Sequence, residues 1–255
     1  MIANYHTHTA RCRHATGTEE AYVQRALEGG LQILGFSDHT PYWFPGDYYT
    51  HMRMYPQELD LYVNTVRRLQ ADYASRLEIL LGLEVEYYPA FFDDLMARLR
   101  DQGIEYILLG QHWSGNEIDE PYNGRASDDV GKLSKYCDQV IAAMETGLFT
   151  YLAHPDLIHF TGDGKVYEQH MKRLCQAALD TGTPLEINFM GMREGRHYPN
   201  QRFWGVAAEL GCPVILGCDS HTPQDAVDPA SEQVALEMVK TFGLELLDTV
   251  PLKKL

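Results

Sequence analysis

The sequence predicts an α/β fold in which a parallel strand-and-helix repeat closes into a single barrel domain over residues 1–255. Three observations carry this. Short β-rich apolar runs alternate with amphipathic segments along the whole chain, the pattern of repeated βα units. No internal repeat, low-complexity tract or Pro/Gly-rich linker divides the chain, and 255 residues suit one α/β barrel. Nearly every apolar run also ends in a histidine or a carboxylate, and a parallel barrel opens all its strand C-termini on the one face where active sites are built.

The first run, near residues 2–6, leads into Tyr5-His6-Thr7-His8-Thr9 and then Cys12-Arg13-His14-Ala15-Thr16-Gly17. Residues i and i+2 of a strand share a face, so His6 and His8 present two imidazoles side by side, a metal-ligand arrangement. A first helix is expected after Thr18, an N-cap with Glu19 and Glu20 in the first turn, and ends at Gly29-Gly30. The second strand, Gln32 to Phe36, leads into Ser37-Asp38-His39. A helix over 57–76 follows, with Leu59, Tyr62, Val63, Val66, Leu69 and Tyr73 at three- and four-residue steps. Leu77 to Leu83 runs into Glu84-Val85-Glu86, and Tyr106 to Leu109 into Gly110-Gln111-His112. The last runs, Phe149 to Ala153, Pro184 to Asn188 and Pro213 to Gly217, bring the strands to about seven. They add His154-Pro155-Asp156 and Asp219-Ser220-His221 at the same end. Two connections, Thr40 to Pro56 and Trp113 to about Asp128, exceed the usual roughly two to six residues and follow histidine-bearing strands, as substrate walls or lids would.

Composition limits the partners. With 36 acidic against 21 basic residues the formal charge is -15, which repels a nucleic-acid backbone, and no basic cluster offsets it. No apolar run approaches the roughly 18 residues of a membrane span, and the Met1 end lacks a basic, apolar leader, so the expected compartment is cytoplasmic. Cys12, Cys137, Cys175, Cys212 and Cys218 form no C-x-x-C pair, which fits reduced thiols rather than a disulfide frame or a thiolate zinc site.

The joint placement of His6, His8, His39, Glu84, His112, His154, Asp219 and His221 after successive strands points to a polynuclear metal site. A donor set of imidazole and carboxylate accepts zinc, iron or manganese. His51, His159, His170 and His197 lack this placement and are not assigned as ligands, although the loops of His51 and His197 open on the same face.

His6-x-His8, His14 in its His-Ala-Thr-Gly context, Ser37-Asp38-His39, Glu84, His112, His154-Pro155-Asp156 and Asp219-Ser220-His221 together resemble the polymerase-and-histidinol-phosphatase (PHP) family over essentially the whole chain. The opening His-Ala-Thr-Gly-Thr-Glu-Glu, Glu186-Ile187-Asn188, Arg193 and Tyr198-Pro199-Asn200 look closest to its histidinol-phosphatase branch. The resemblance implies a distorted (β/α)7 TIM-like barrel with three divalent metal ions at the strand C-termini. It implies His6, His8, Glu84 and Asp219 on one ion, Glu84, His112 and His154 on a second, and His14, His39 and His221 on a third. Asp219 and His221 share one strand end and could exchange assignments, and Gln111 stands where many relatives carry a small residue. The implied activity is hydrolysis of L-histidinol phosphate to L-histidinol and phosphate, a step of histidine biosynthesis.

Paired ions can bind phosphate oxygens, lower the pKa of a bridging water and stabilise both oxygens of an in-line displacement. The lack of a P-loop, a G-x-S-x-G elbow or a nucleophilic cysteine motif is therefore no obstacle. Three divalent ions also offset about six of the negative charges, which leaves room for a small anionic substrate. Arg193 is the candidate for a forked phosphate contact, with Arg196 and Arg53 as rivals. Asp219 or His221 is the candidate for protonating the leaving alkoxide. Alternatives are hydrolysis of another small phosphomonoester or nucleotide, a phosphodiester nuclease, which the acidity disfavours, and a catalytically idle metal-binding domain, which the full donor set disfavours.

Overall fold

The computed structural model describes residues 1–46, 48 and 50–255; Asp47 and Tyr49, within the Thr40 to Pro56 connection, lie outside the described residues. Among the described residues eight parallel strands stand in chain order in one sheet: β1 (Ala3–Asn4), β2 (Ile33–Phe36), β3 (Glu78–Val85), β4 (Tyr106–Leu109), β5 (Phe149–Leu152), β6 (Leu185–Asn188), β7 (Pro213–Gly217) and β8 (Glu245–Leu246). Helices α1 (Glu19–Glu28), α2 (Leu59–Tyr73), α3 (Phe92–Leu99), α4 (Val130–Glu145), α5 (Gly164–Asp180), α6 (Phe189–Arg193), α7 (Gln201–Leu210) and α8 (Pro229–Phe242) fill the crossovers that parallel neighbours require.

The expected strands are present and β8 is additional. β1 is shorter than expected because the Asn4 side chain intervenes. Its Oδ1 accepts the backbone N–H groups of His6 at 3.1 Å and Cys218 at 3.2 Å, so these donors leave the ladder. Closure of the curled sheet then takes an unusual route. The start of β7 pairs with β8 through Pro213 and Val214, but beyond its end Ser220 bridges Thr7. There His8 N–H donates to Ser220 O at 2.9 Å and Ser220 N–H to His6 O at 3.1 Å. The mouth is thus ringed by seven strands, with the eighth wedged at the far end of β7, and this is the distortion of the barrel.

Period-two alternation sets the two layers. On β3, Ile79, Leu81, Leu83 and Val85 pack outward against the helices, while Leu80 joins Tyr5, Tyr106, Leu108, Tyr151 and Ile215 inside the barrel. Each such buried side chain stabilises the fold by about 1.5–3 kcal/mol. Glycines interrupt the inner face midway. A Cβ on Gly82 would stand 2.8 Å from Tyr106 Cδ1 and one on Gly35 2.9 Å from Tyr106 Cζ, so both leave room for that ring. The Tyr106 hydroxyl donates to Tyr5 O at 2.7 Å. One layer higher, Gly110 and Gly217 leave room for the carboxylates of Glu84 and Glu186.

Thr18 caps α1 by accepting the Ala21 N–H, and the helix stops at Gly29 as expected. α2 buries the six periodic residues named above, entered through a 3-10 turn over Pro56–Glu58. Among the described residues no helix is long and apolar enough to cross a membrane.

Candidate metal centre

Strand ends bring the expected donors together around one carboxylate. Glu84 Oε1 lies 2.9 Å from His154 Nε2, 3.6 Å from His6 Nε2 and 3.8 Å from His112 Nε2. Its Oε2 lies 2.9 Å from His39 Nδ1 and 3.6 Å from His8 Nε2. Asp219 Oδ1 stands 3.1 Å from His8 Nε2 and 3.6 Å from His6 Nε2. The His221 ring stacks on His8 at 4.2 Å and on His14 at 4.6 Å. His14 is exposed and His221 half-buried, so these two form the open edge of an otherwise buried cluster.

The triads His6/His8/Asp219, His14/His39/His221 and His6/Glu84/His154 each hold their ligand atoms within 4.8 Å of one another. The first two coincide with groupings that the resemblance implies. The third has His6 where the resemblance implies His112, whose ring lies 4.9 Å from that of His154.

These donors fit a cation. His6 Nε2, His8 Nε2, His39 Nδ1, Glu84 Oε2 and His221 Nε2 are buried without a hydrogen bond. Each such orphaned group costs about 1–3 kcal/mol, and a convergent set of lone pairs is what a metal ion would satisfy. His154 and Asp219 also hold positive φ, 29° and 47°, a left-handed backbone that few non-glycine residues adopt and that is shared among the described non-glycine residues only by Arg13.

Three further carboxylates stand behind the rings. Glu186 Oε1 accepts His6 Nδ1–H at 2.7 Å, Glu86 Oε1 accepts His112 Nδ1–H at 3.0 Å, and Asp38 Oδ1 stands 3.5 Å from His8 Nδ1. Such partners fix tautomer and ring orientation, here turning Nε2 inward. Glu186 is itself held by Tyr151 Oη at 3.2 Å, the His154 N–H at 3.0 Å and Asn188 Nδ2 at 2.9 Å. The sequence reading did not assign these roles. The available signal was the period of two, which puts Glu86 on the face of Glu84 and Asn188 on that of Glu186.

The model of the PHP domain family matches residues 4–189, a span that carries every candidate donor except Asp219 and His221. The chain belongs to the PHP domain family. Its PHP relatives include a probable histidinol-phosphatase of Deinococcus radiodurans, 34% identical over 235 residues and covering 87% of each chain. A histidinol-phosphatase of Bacillus subtilis is 23% identical over 252 residues, covering 86% of this chain and 93% of the other. Among solved structures, histidinol phosphate phosphatase from Lactococcus lactis, complexed with zinc, L-histidinol and phosphate, superposes with a TM-score of 0.74 at 19% identity. The match covers 98% of this chain and 96% of that one, and the likeness is one of fold.

Electrostatics divide the donors of this PHP centre in two. Burial works against a charged His6, but Glu186, Asp219 and Glu84 outweigh it and raise its pKa well above the usual value. His8 is likewise carried up to about 9, against burial, by Asp219 and Asp38, and His112 is raised by Glu84 and Glu86. Burial lowers His39 to about 3, and it also lowers His14 and His221, with His8 adding to the effect in each case. One half of the cluster therefore attracts a cation while the other offers neutral lone pairs. Burial is overcome in the carboxylates too, and the surrounding imidazoles hold Glu84 and Asp219 well below the ordinary range. Asp219 is ionised and His221 neutral, so either would have to gain a proton before acting as the acid expected of it.

The three arginines part company. Arg53 is corrected from a phosphate contact to an internal cation. Its Nε donates to Glu117 Oε2 at 2.9 Å, Nη1 to Glu86 Oε2 at 2.9 Å and Thr40 O at 3.0 Å, and Nη2 to Glu86 Oε1 at 3.0 Å and to Glu117. All the guanidinium donors are then engaged. Arg193 gives Nη1 to Cys218 O at 2.9 Å and Nη2 to Asp219 O at 3.0 Å, beside Asp225 and Asp228, and so steadies the turn that carries Asp219. Arg196 stays at the rim, with Nε on Glu194 at 2.7 Å and Nη1 on Tyr198 Oη at 3.1 Å, and the Tyr198 ring is 6.2 Å from that of His154. Of the unassigned histidines, His51 is exposed, His170 lies on α5, and His159 stacks on His197 at 4.0 Å.

Proposed function

We propose that this chain is a metal-dependent phosphomonoesterase that hydrolyses L-histidinol phosphate to L-histidinol and phosphate, acting as one domain over residues 1–255 in the cytoplasm. The observation that carries the reading is the ring of orphaned imidazole nitrogens and carboxylate oxygens around Glu84 in the mouth of a PHP barrel. Relatives named histidinol-phosphatase support the substrate. Five buried free thiols fit a reducing compartment.

Three divalent ions are proposed. His6, His8, Glu84 and Asp219 would hold one, Glu84, His112 and His154 a second, and His14, His39 and His221 a third, with zinc, iron or manganese all compatible with these donors. When bound, such ions supply Lewis acidity toward phosphoryl oxygens and activation of water for in-line displacement. The remaining work belongs to the chain itself. Glu186 and Glu86 keep His6 and His112 turned inward, and Asp38 lies beside His8 Nδ1. Arg196, at the rim beside Tyr198, is the proposed phosphate contact, since Arg193 is engaged with the Asp219 turn and Arg53 is fully paired. His221, at the open edge, and Asp219 are the proposed acids: whichever takes up the proton that the attacking water loses would hand it to the leaving alkoxide.

The test is phosphate release by metal-analysed protein on L-histidinol phosphate beside sugar phosphates, nucleotides and an aryl phosphate. Chelated protein and His8→Ala serve as controls. A large kcat/KM advantage for histidinol phosphate, lost in both controls, is expected. Equal rates across the panel would keep the phosphatase and remove the substrate assignment; no hydrolysis by fully loaded protein would overturn the proposal.

A further inference from the structure

Arg53 is 1% exposed, and among the described residues no other arginine is buried. A buried cation costs several kcal/mol unless it is paired, and the partners here come from three separate segments. Arg53 and Thr40 O belong to the first long connection, Glu86 follows β3, and Glu117 sits in the second long connection. One oxygen does double duty. Glu86 Oε1 accepts both Arg53 Nη2 and His112 Nδ1, each at 3.0 Å. The ring of a candidate metal ligand and the anchor of the 113–128 connection therefore hang on the same guanidinium.

We propose that Arg53 is a positioning residue for metal binding, fixing His112 through Glu86 and, through Glu117, coupling the loading of the His112 ion to the ordering of residues 113–128. This rests on the metal-site reading and not on the identity of the substrate. Without Arg53, Glu86 would lose the fork that aims Oε1 at Nδ1, and Glu117 would lose its ion pair. Because coupling is reciprocal, whatever loosens the connection must also weaken the ion.

The experiment uses full-length protein and zinc, with ions per chain measured across a chelator series and amide hydrogen exchange followed over 113–128. His112→Ala identifies the ion concerned; if it loses none, the metal-site reading fails by itself. Arg53→Lys, which keeps the charge but cannot form the double fork, should bind that same ion about 10–100-fold more weakly while holding the others. Glu86→Gln should show the same defect, and the double variant should be no worse than Glu86→Gln alone. Glu117→Gln should weaken that same ion, less than Arg53→Lys does, hold the others, and lose the slowing of exchange that zinc is expected to produce over 113–128 in the native chain. Native-like affinity in folded Arg53→Lys, additive losses in the double variant, or exchange in the native chain that is blind to zinc would each overturn the proposal. Should Arg53→Lys not fold, Glu117→Gln decides, and zinc-linked exchange that persists in it would be fatal to the coupling.

Discussion

Replacing Gly110 with alanine adds one carbon in the most crowded part of the candidate centre. A Cβ there would stand 2.8 Å from Glu84 Cγ and 2.5 Å from Glu84 Cδ, and nearer still to Oε1. Ordinary carbon contacts lie at about 3.5–4.0 Å, so the carboxylate has to retreat by at least about 1 Å. Metal–ligand distances tolerate only about 0.2 Å. Oε1 is also the atom that faces His154, His6 and His112. Gly110→Ala should accordingly lose at least one ion per chain and drop kcat/KM on L-histidinol phosphate by about 100-fold or more, with an overpacking cost of about 1–3 kcal/mol in a urea melt of chelated protein. Gly205→Ala is the internal comparison. Gly205 lies within α7 and its added Cβ meets nothing within 4 Å, so this variant should keep its ions and gain roughly 0.5–1 kcal/mol. Metal content and kcat/KM unchanged in folded Gly110→Ala would refute the claim that the Glu84 carboxylate sits over Gly110 as a shared ligand.

Three other outcomes are expected. Glu186→Gln should weaken zinc affinity by about 10–100-fold in a chelator competition, because the His6 ring loses the carboxylate that aligns it; unaltered affinity would remove Glu186 from that role. Arg196→Ala should lower kcat/KM by roughly 10–100-fold, the worth of one charge-assisted hydrogen bond, with the melting temperature unmoved, whereas Arg193→Ala should lower the melting temperature by freeing the Asp219 turn; the reverse pattern would exchange their roles. Burial pushes the Asp156 carboxyl up to about 7, above its unfolded value of about 3.9. The stability it contributes is whole below pH ~4 and is lost as pH rises through about 7. In urea melts of chelated protein Asp156→Asn should therefore lack that decline and exceed the native chain at pH 8 by on the order of 2–4 kcal/mol; parallel stability curves would count against it.

Apart from His14, which only the resemblance assigned, the donors were legible because each stands at the end of an apolar run, and the parallel repeat that brings run-ends together was itself readable from periodicity. β8 was not, since a two-residue strand has no period and exists through its pairing with Pro213 and Val214. Nor was the early end of β1, which depends on an asparagine side chain meeting the backbone of Cys218, 214 residues away. Glu86 and Glu186 were visible as carboxylates on the right face. Whether they would meet an ion or the back of an imidazole depended on ring orientation, which no local pattern encodes. Arg53 misled for a related reason. It was a rival because it lies in the long Thr40 to Pro56 connection, while the carboxylates that hold it inside lie 33 and 64 residues further along.

The bridge between Thr7 and Ser220 has a consequence for the order of folding. It closes the mouth by joining the segment that bears His6 and His8 to the one that bears Asp219 and His221. Contacts of such high sequence separation carry a large loop-closure entropy, which would place this join late in folding. The first two groupings of donors each draw on both segments, so neither exists until that join is made. Ions bound there would act as a rivet across it, and tight zinc retention by the native chain would then serve as a record that folding had run to completion.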